Sequence, residues 1–156
     1  MKLLKMSGHD CLLYSAAMIL DESPDTLEKE IGHDGKEVWW PEVADPFCRR
    51  GIHIQEILDL CIKRGYVLYP VELMPASAAR GCSPKAILQE TAAILRFKRI
   101  INGQKGILIT ATHAVAWDGQ IIFDPNGRLA VLGDYTIREA WLIGNQINYP
   151  IPKIGC

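Results

Sequence analysis

Cys11, His113 and Asp124 are the residues whose types and settings could do chemistry together. Cys11 stands at the head of "CLLYSAAMIL", an apolar run with the spacing of a buried helix. A thiolate is the nucleophilic form of cysteine, and the unpaired N–H groups and dipole of a helix start favour the anion. His113 and Asp124 flank "AVAWDGQIIF", two alternating runs joined by Asp118-Gly119, a strong hairpin signal. A two-residue type I′ loop sets Trp117 opposite Gln120, and counting outward from that pair sets His113 opposite Asp124. Directly opposed residues have Cβ atoms about 4.5 to 5.5 Å apart, close enough for an imidazole and a carboxylate to bond. A carboxylate there would orient the ring and stabilise its protonated form. Nucleophile, base and orienter are the parts of an acyl-transfer site. Each residue also has a plainer reading. Asp124 before Pro125-Asn126-Gly127 suits an Asx-turn, and Cys11 alone suits a small buried hydrophobe.

These residues need a scaffold, and the chain supplies signals for one. Asp10 stands where it would cap the Cys11 helix, and Leu12, Leu13, Ala16, Ala17 and Leu20 give that helix a broad apolar face. "SPDTLEKEIG" has Ser23 as cap, Pro24 at the first helical position and Gly32 as stop. Residues 33–50 show no sustained period and carry two prolines, which predicts a long loop, and such loops are often functional. Within it, Trp39 and Trp40 are expected to divide into one core anchor and one partly exposed ring. "GIHIQEILDLCIKRG" is an amphipathic helix with Ile54, Ile57, Leu58 and Cys61 on one face. "YVLYPVEL" predicts a strand whose Pro70 marks an edge or bulge. A loop follows over 74–82, then a helix from Ser83 to about Leu95. Strands are expected at "KGILIT", "THAVAW", "QIIFDP" and "LAVL", and a last short helix at "TIREAWLIG", where Thr136 and Glu139 form a capping box. Helices first and strands later predict an α+β domain with an antiparallel sheet over residues 1–156.

Composition narrows the function. At 156 residues the chain is the size of one ordinary domain, and 49% hydrophobic with 22% charged residues is globular usage. A net charge of -1 argues against nucleic acid as partner. "ILRFKRI" gathers basic residues that suit a solvated helix face. No apolar run approaches the ~20 residues that cross a bilayer. The opening "MKLLKM" is short for a signal peptide, so the expected setting is the cytoplasm. Cys11, Cys48, Cys61, Cys82 and Cys156 are an odd, irregular set that reads as free thiols. Cys48, His53 and Cys61 lack metal-site spacing, with Cys61 on an apolar stripe, and His33-Asp34 lacks further ligands. No cofactor fingerprint occurs, and no metal or cofactor is expected.

"DCLLYSAAMIL" resembles the nucleophile helix of papain-fold cysteine peptidases. The likeness is nearest to the bacteriocin-leader-processing branch and its small stand-alone relatives, often carried by bacteriophages. "HAVAWDGQIIFDPNG" is similar to that branch's second motif, a strand-borne His followed across a hairpin by Asp-Pro, and "GIHIQEILDLCIKRGY" to its intermediate helix. The resemblance implies a papain-like α+β fold and metal-free, thiol-dependent cleavage of a peptide or isopeptide bond. In it Cys11 attacks, His113 carries the proton and Asp124 holds His113. Deamidation or another amide hydrolysis on the same triad, or a non-catalytic papain-fold binding protein, are the alternatives. The pattern departs at two places. The Gln that supplies an oxyanion donor six residues before the nucleophile is Lys5 here, and the Gly that commonly follows it is Leu12. Lys5, Ser7 or His9 are left as substitute donors.

Overall fold

The computed structural model describes residues 1–71 and 90–145. Three helices come first: α1 (Cys11–Leu20), α2 (Pro24–Ile31) and α3 (Ile54–Lys63). Strand β1 (Tyr66–Val71) and helix α4 (Glu90–Ile101) follow. Then come β2 (Gly106–Ile109), β3 (Ala114–Trp117), β4 (Ile122–Asp124), β5 (Arg128–Ala130) and β6 (Glu139–Asn145), with a one-turn 3₁₀ helix at Leu132–Asp134. The strands form one antiparallel sheet in the order β1-β6-β2-β3-β4-β5, so the expected α+β class is the one found. β1 is an edge strand, as Pro70 predicts. The loop expected over 74–82, the start of the helix expected at Ser83, Cys82 and Cys156 lie outside the described residues.

Both faces of the sheet are covered. On one side Leu13, Ala16, Ala17, Met18, Leu27, Ile57, Leu60 and Cys61 from the first three helices pack with Ile107, Ala114 and Ala116. On the other, Phe97 and Ile101 of α4 pack with Leu108, Val115, Trp117, Ile122 and Leu142. Residues of β3 alternate between the two cores, which is why all four are buried. Small side chains face α1 (Ala114, Ala116) and large ones face α4 (Val115, Trp117). With Ala16 and Ala17 opposite, α1 can lie close on β3 and β2. Trp117 Nε1 donates to the Ile101 carbonyl at 2.9 Å, tying the end of α4 to the same strand.

Local signals explain most of the helices. Ser23 Oγ accepts the Thr26 N–H, Pro24 is the first helical residue of α2, and Gly32 closes it at φ +91°. At α3, Glu56 reaches back to accept the His53 N–H at 2.9 Å. Residues 33–50 contain no helix, only the bridge Val38–Arg49 and turns that return the chain on itself.

Five expectations change. Asp10 precedes α1 but its side chain makes no capping bond, because its backbone (φ −95°, ψ 41°) is not the extended one that capping uses. Trp39 and Trp40 are both exposed, at 47% and 42%. They stack edge to face 5.6 Å apart, with the Arg50 guanidinium over Trp39, instead of anchoring the core. Helix α4 runs on to Ile101, past the end expected near Leu95. "TIREAWLIG" is not a helix. Ala140 and Leu142 face the α4 core while Trp141 and Ile143 face the other, the period of a strand, and pairing with both β1 and β2 outweighs the capping signal. "LAVL" divides likewise, with β5 ending at Ala130 and the 3₁₀ turn beginning at Leu132.

Candidate active site

Two hairpins bring the chemistry-bearing residues to one end of the sheet. His113 closes the β2–β3 turn, where Thr110 N donates to the His113 carbonyl at 2.8 Å and Thr110 Oγ1 accepts the His113 N–H at 3.1 Å. This hydroxyl holds the backbone that carries the ring. Asp124 ends β4, and its Oδ1 accepts the Asn126 N–H at 2.8 Å, the Asx-turn that its sequence context suggests. His113 Nε2 and Asp124 Oδ1 are 2.8 Å apart.

That contact arises from a register different from the expected one. The observed pairs are Ala116 with Phe123 and Trp117 with Ile122, so the loop has four residues, Asp118 to Ile121, and not two. Asp118 explains the wider turn: its Oδ1 accepts the N–H groups of both Gln120 and Ile121 at 2.8 Å. Gly119, at φ +106°, sits against Gly103, where a Cβ would come within 2.8 Å of the backbone. Carried outward, this register sets His113 opposite Asn126 and Asp124 opposite Val115. His113 and Asp124 are therefore diagonal neighbours. An offset of two residues keeps both on one face, and the imidazole spans the difference.

Cys11 meets this pair at the strand ends. Its Sγ accepts the Ala114 N–H at 3.3 Å, and the residue is only partly buried. With His113 Nε2 directed to Asp124, Nδ1 is the ring nitrogen left for the sulfur. The His113 pKa is raised to about 9: the Cys11 side chain contributes most, burial of the ring opposes it, and Asp124 adds to the rise. Asp124 is lowered to about 2 even though burial pushes it up, because Tyr135, the Asn126 amide, His113 and Arg128 all bond the carboxylate. The sequence-predicted set is thus brought together.

The candidate oxyanion donors fare differently. Lys5 pairs backbone to backbone with Asn126, and its stem folds over Gly127, 3.2 Å from where a Cβ would stand. Ser7 and His9 are exposed. The helix itself offers donors, since the first intrahelical bond is Tyr14 N to the Asp10 carbonyl, leaving the N–H groups of the first turn to a ligand.

Sequence reasoning missed Thr110, Arg128 and Tyr135. Arg128 was within reach: Asn126-Gly127 is a turn signal, and a three-residue loop Pro125-Asn126-Gly127 with the glycine left-handed (φ +88°) pairs Asp124 with Arg128, as the sheet does. Tyr135 carried no such signal. Cys48 and Cys61 are buried, and burial pushes the Cys61 thiol up to about 11, so neither has the setting of a reactive group. Among the described residues no cluster of three or more His, Cys, Asp and Glu could hold a metal ion, and no helix is long and apolar enough to cross a membrane.

The fold and the site together define an α+β domain with a Cys-His-Asp cluster at the end of its sheet. Compared with family models, curated proteins and solved structures, the chain matches none.

Proposed function

We propose that this chain is a thiol-dependent hydrolase of papain-like fold that cleaves a peptide or isopeptide bond. Cys11 is its nucleophile, His113 its proton carrier and Asp124 the group that orients His113. The observation that carries the reading is the meeting of three elements distant in sequence: a helix-start sulfur on the Ala114 amide, an imidazole beside it, and a fully buried carboxylate 2.8 Å from that ring. A thiolate beside an imidazolium is the activated form of such a pair. The sulfur would attack the carbonyl carbon, and His113 would give its proton to the departing amine as the C–N bond breaks, leaving a thioester. Water then adds while His113 takes back a proton, releasing the acid and restoring the thiol. The first-turn N–H groups of α1 would receive the developing oxyanion.

The same machinery would serve a deamidase, and the choice of amide belongs to the substrate cleft. One observation favours a protein that binds without cleaving: the residue at the Gln position, Lys5, spends its stem on Gly127. A phage-encoded or bacterial protein working in the cytoplasm fits the reading. The test is alkylation by iodoacetamide across pH, followed by a peptide and isopeptide substrate screen read by mass spectrometry. Cys11 should label well below pH 8 and ahead of the other cysteines, and His113→Ala should remove the advantage. Uniform labelling of all the cysteines would overturn the proposal.

A further inference from the structure

We propose that Tyr135 and Arg128 are positioning residues of the site: they occupy the second oxygen of Asp124 and so fix the orientation and basicity with which the first meets His113. This rests on the reading of Cys11, His113 and Asp124 as a reactive set. The Asp124 side chain is 1% exposed, and a carboxylate so buried stays ionised only if its lone pairs are filled. Oδ1 accepts from His113 Nε2 and from the Asn126 amide, each at 2.8 Å. Oδ2 accepts from Arg128 Nε at 3.1 Å and from the Tyr135 hydroxyl.

The direction of these bonds is forced. Arg128 Nη2 donates to the Tyr135 oxygen at 2.9 Å, and a guanidinium cannot accept. The single phenolic hydrogen must then point to Asp124. Arg128, Tyr135 and Asp124 close a ring of hydrogen bonds in which every donor aims at the carboxylate or at its partner. Rotation of the carboxylate would break bonds at both oxygens at once, so Oδ1 keeps its place opposite the imidazole. The basicity of the whole carboxylate is shared among four donors, two on each oxygen, which leaves the proton on His113 and not on Asp124. The groups facing Asp124 are His113 from the start of β3, Arg128 from β5, and Tyr135 after the 3₁₀ turn, with Cys11 of α1 beyond the ring.

A residue that merely held β5 in place would change stability and leave the titration of the site alone. The test is therefore an NMR titration of carboxyl-labelled Asp124 and the His113 ring in the folded full chain, compared among wild type, Tyr135→Phe, Arg128→Met and Arg128→Lys. Losing a donor from Oδ2 lets burial dominate, so the Asp124 titration should rise by about 1–3 units in Tyr135→Phe and Arg128→Met. Arg128→Lys should restore part of the shift. The Arg128 side chain is 62% exposed, so Arg128→Met carries the test if Tyr135→Phe does not fold. Asp124 and His113 titrating as in wild type in the folded variants would overturn the inference. Failure of the hydrolase reading would be seen elsewhere, as loss of preferential Cys11 alkylation in the wild type itself.

Discussion

Among the described residues two histidine–carboxylate pairs have almost the same length, and on the proposed reading only one belongs to a reactive site. His33 Nε2 lies 2.6 Å from Glu56 Oε1, and His113 Nε2 lies 2.8 Å from Asp124 Oδ1. The difference is in the other ring nitrogen. His33 Nδ1 accepts the Gly35 N–H at 3.1 Å, so both nitrogens are committed and the ring pins residues 33–51 to α3. His113 Nδ1 is left for Cys11. The carboxylates differ as well: Glu56 is 22% exposed and divided among His33, Arg50 and the His53 amide, whereas Asp124 is sealed from water. On the proposed reading, a His–carboxylate contact is a buckle or a proton-handling device according to what the second nitrogen meets.

This contrast can be broken most sharply by activity. His113→Ala and Asp124→Asn should each lower cleavage of a responsive substrate by about 10²–10⁴ in kcat/KM. His33→Ala and Glu56→Gln should leave it within about threefold, since uniform losses of that smaller size are what remote structural changes cost. Equal losses from both pairs would erase the distinction. Stability sharpens the contrast from the other side. Glu56→Ala removes the carboxylate that bonds His33, Arg50 and the His53 amide and should cost about 1–3 kcal/mol in urea unfolding, with faster amide exchange over 33–51.

Packing gives the third comparison. Ala116→Leu would force a bulky group between β3 and α1 and should cost about 1–3 kcal/mol, whereas Leu129→Ala on exposed β5 should cost under about 0.5. The last comparison is in pH. His113 is raised, so its stabilisation is complete below the ordinary histidine value and lost as pH climbs through about 9. Asp124 is lowered, so its stabilisation holds above the ordinary aspartate value and is lost as pH falls through about 2. Each limb should have a slope of at most about 1.4 kcal/mol per pH unit. The alkaline limb should vanish in His113→Ala and persist in His33→Ala.

Sequence and structure agree where the cause was local. Ser23, Pro24 and Gly32 bound a helix by their own backbone preferences, and Pro70 marked an edge. Pairing of His113 with Asp124 was legible although its stated geometry was wrong. Asp118 widened the turn, and an offset of two, like any even slip, leaves a strand's faces unchanged. Glu139–Asn145 was misread because its strand character comes from neighbours remote in sequence, β1 and β2. Tyr135 was invisible for the same reason, since its bond to Asp124 depends on how β5 and the 3₁₀ turn bring the chain back.

Strand β3 is flanked by β2 and β4 and covered on both faces, and it begins one residue after the imidazole. Loss of function in a denaturant ramp should accordingly coincide with collapse of the whole domain, with no earlier step in which the reactive centre softens alone. A protein built this way would be robust up to a threshold and then fail abruptly.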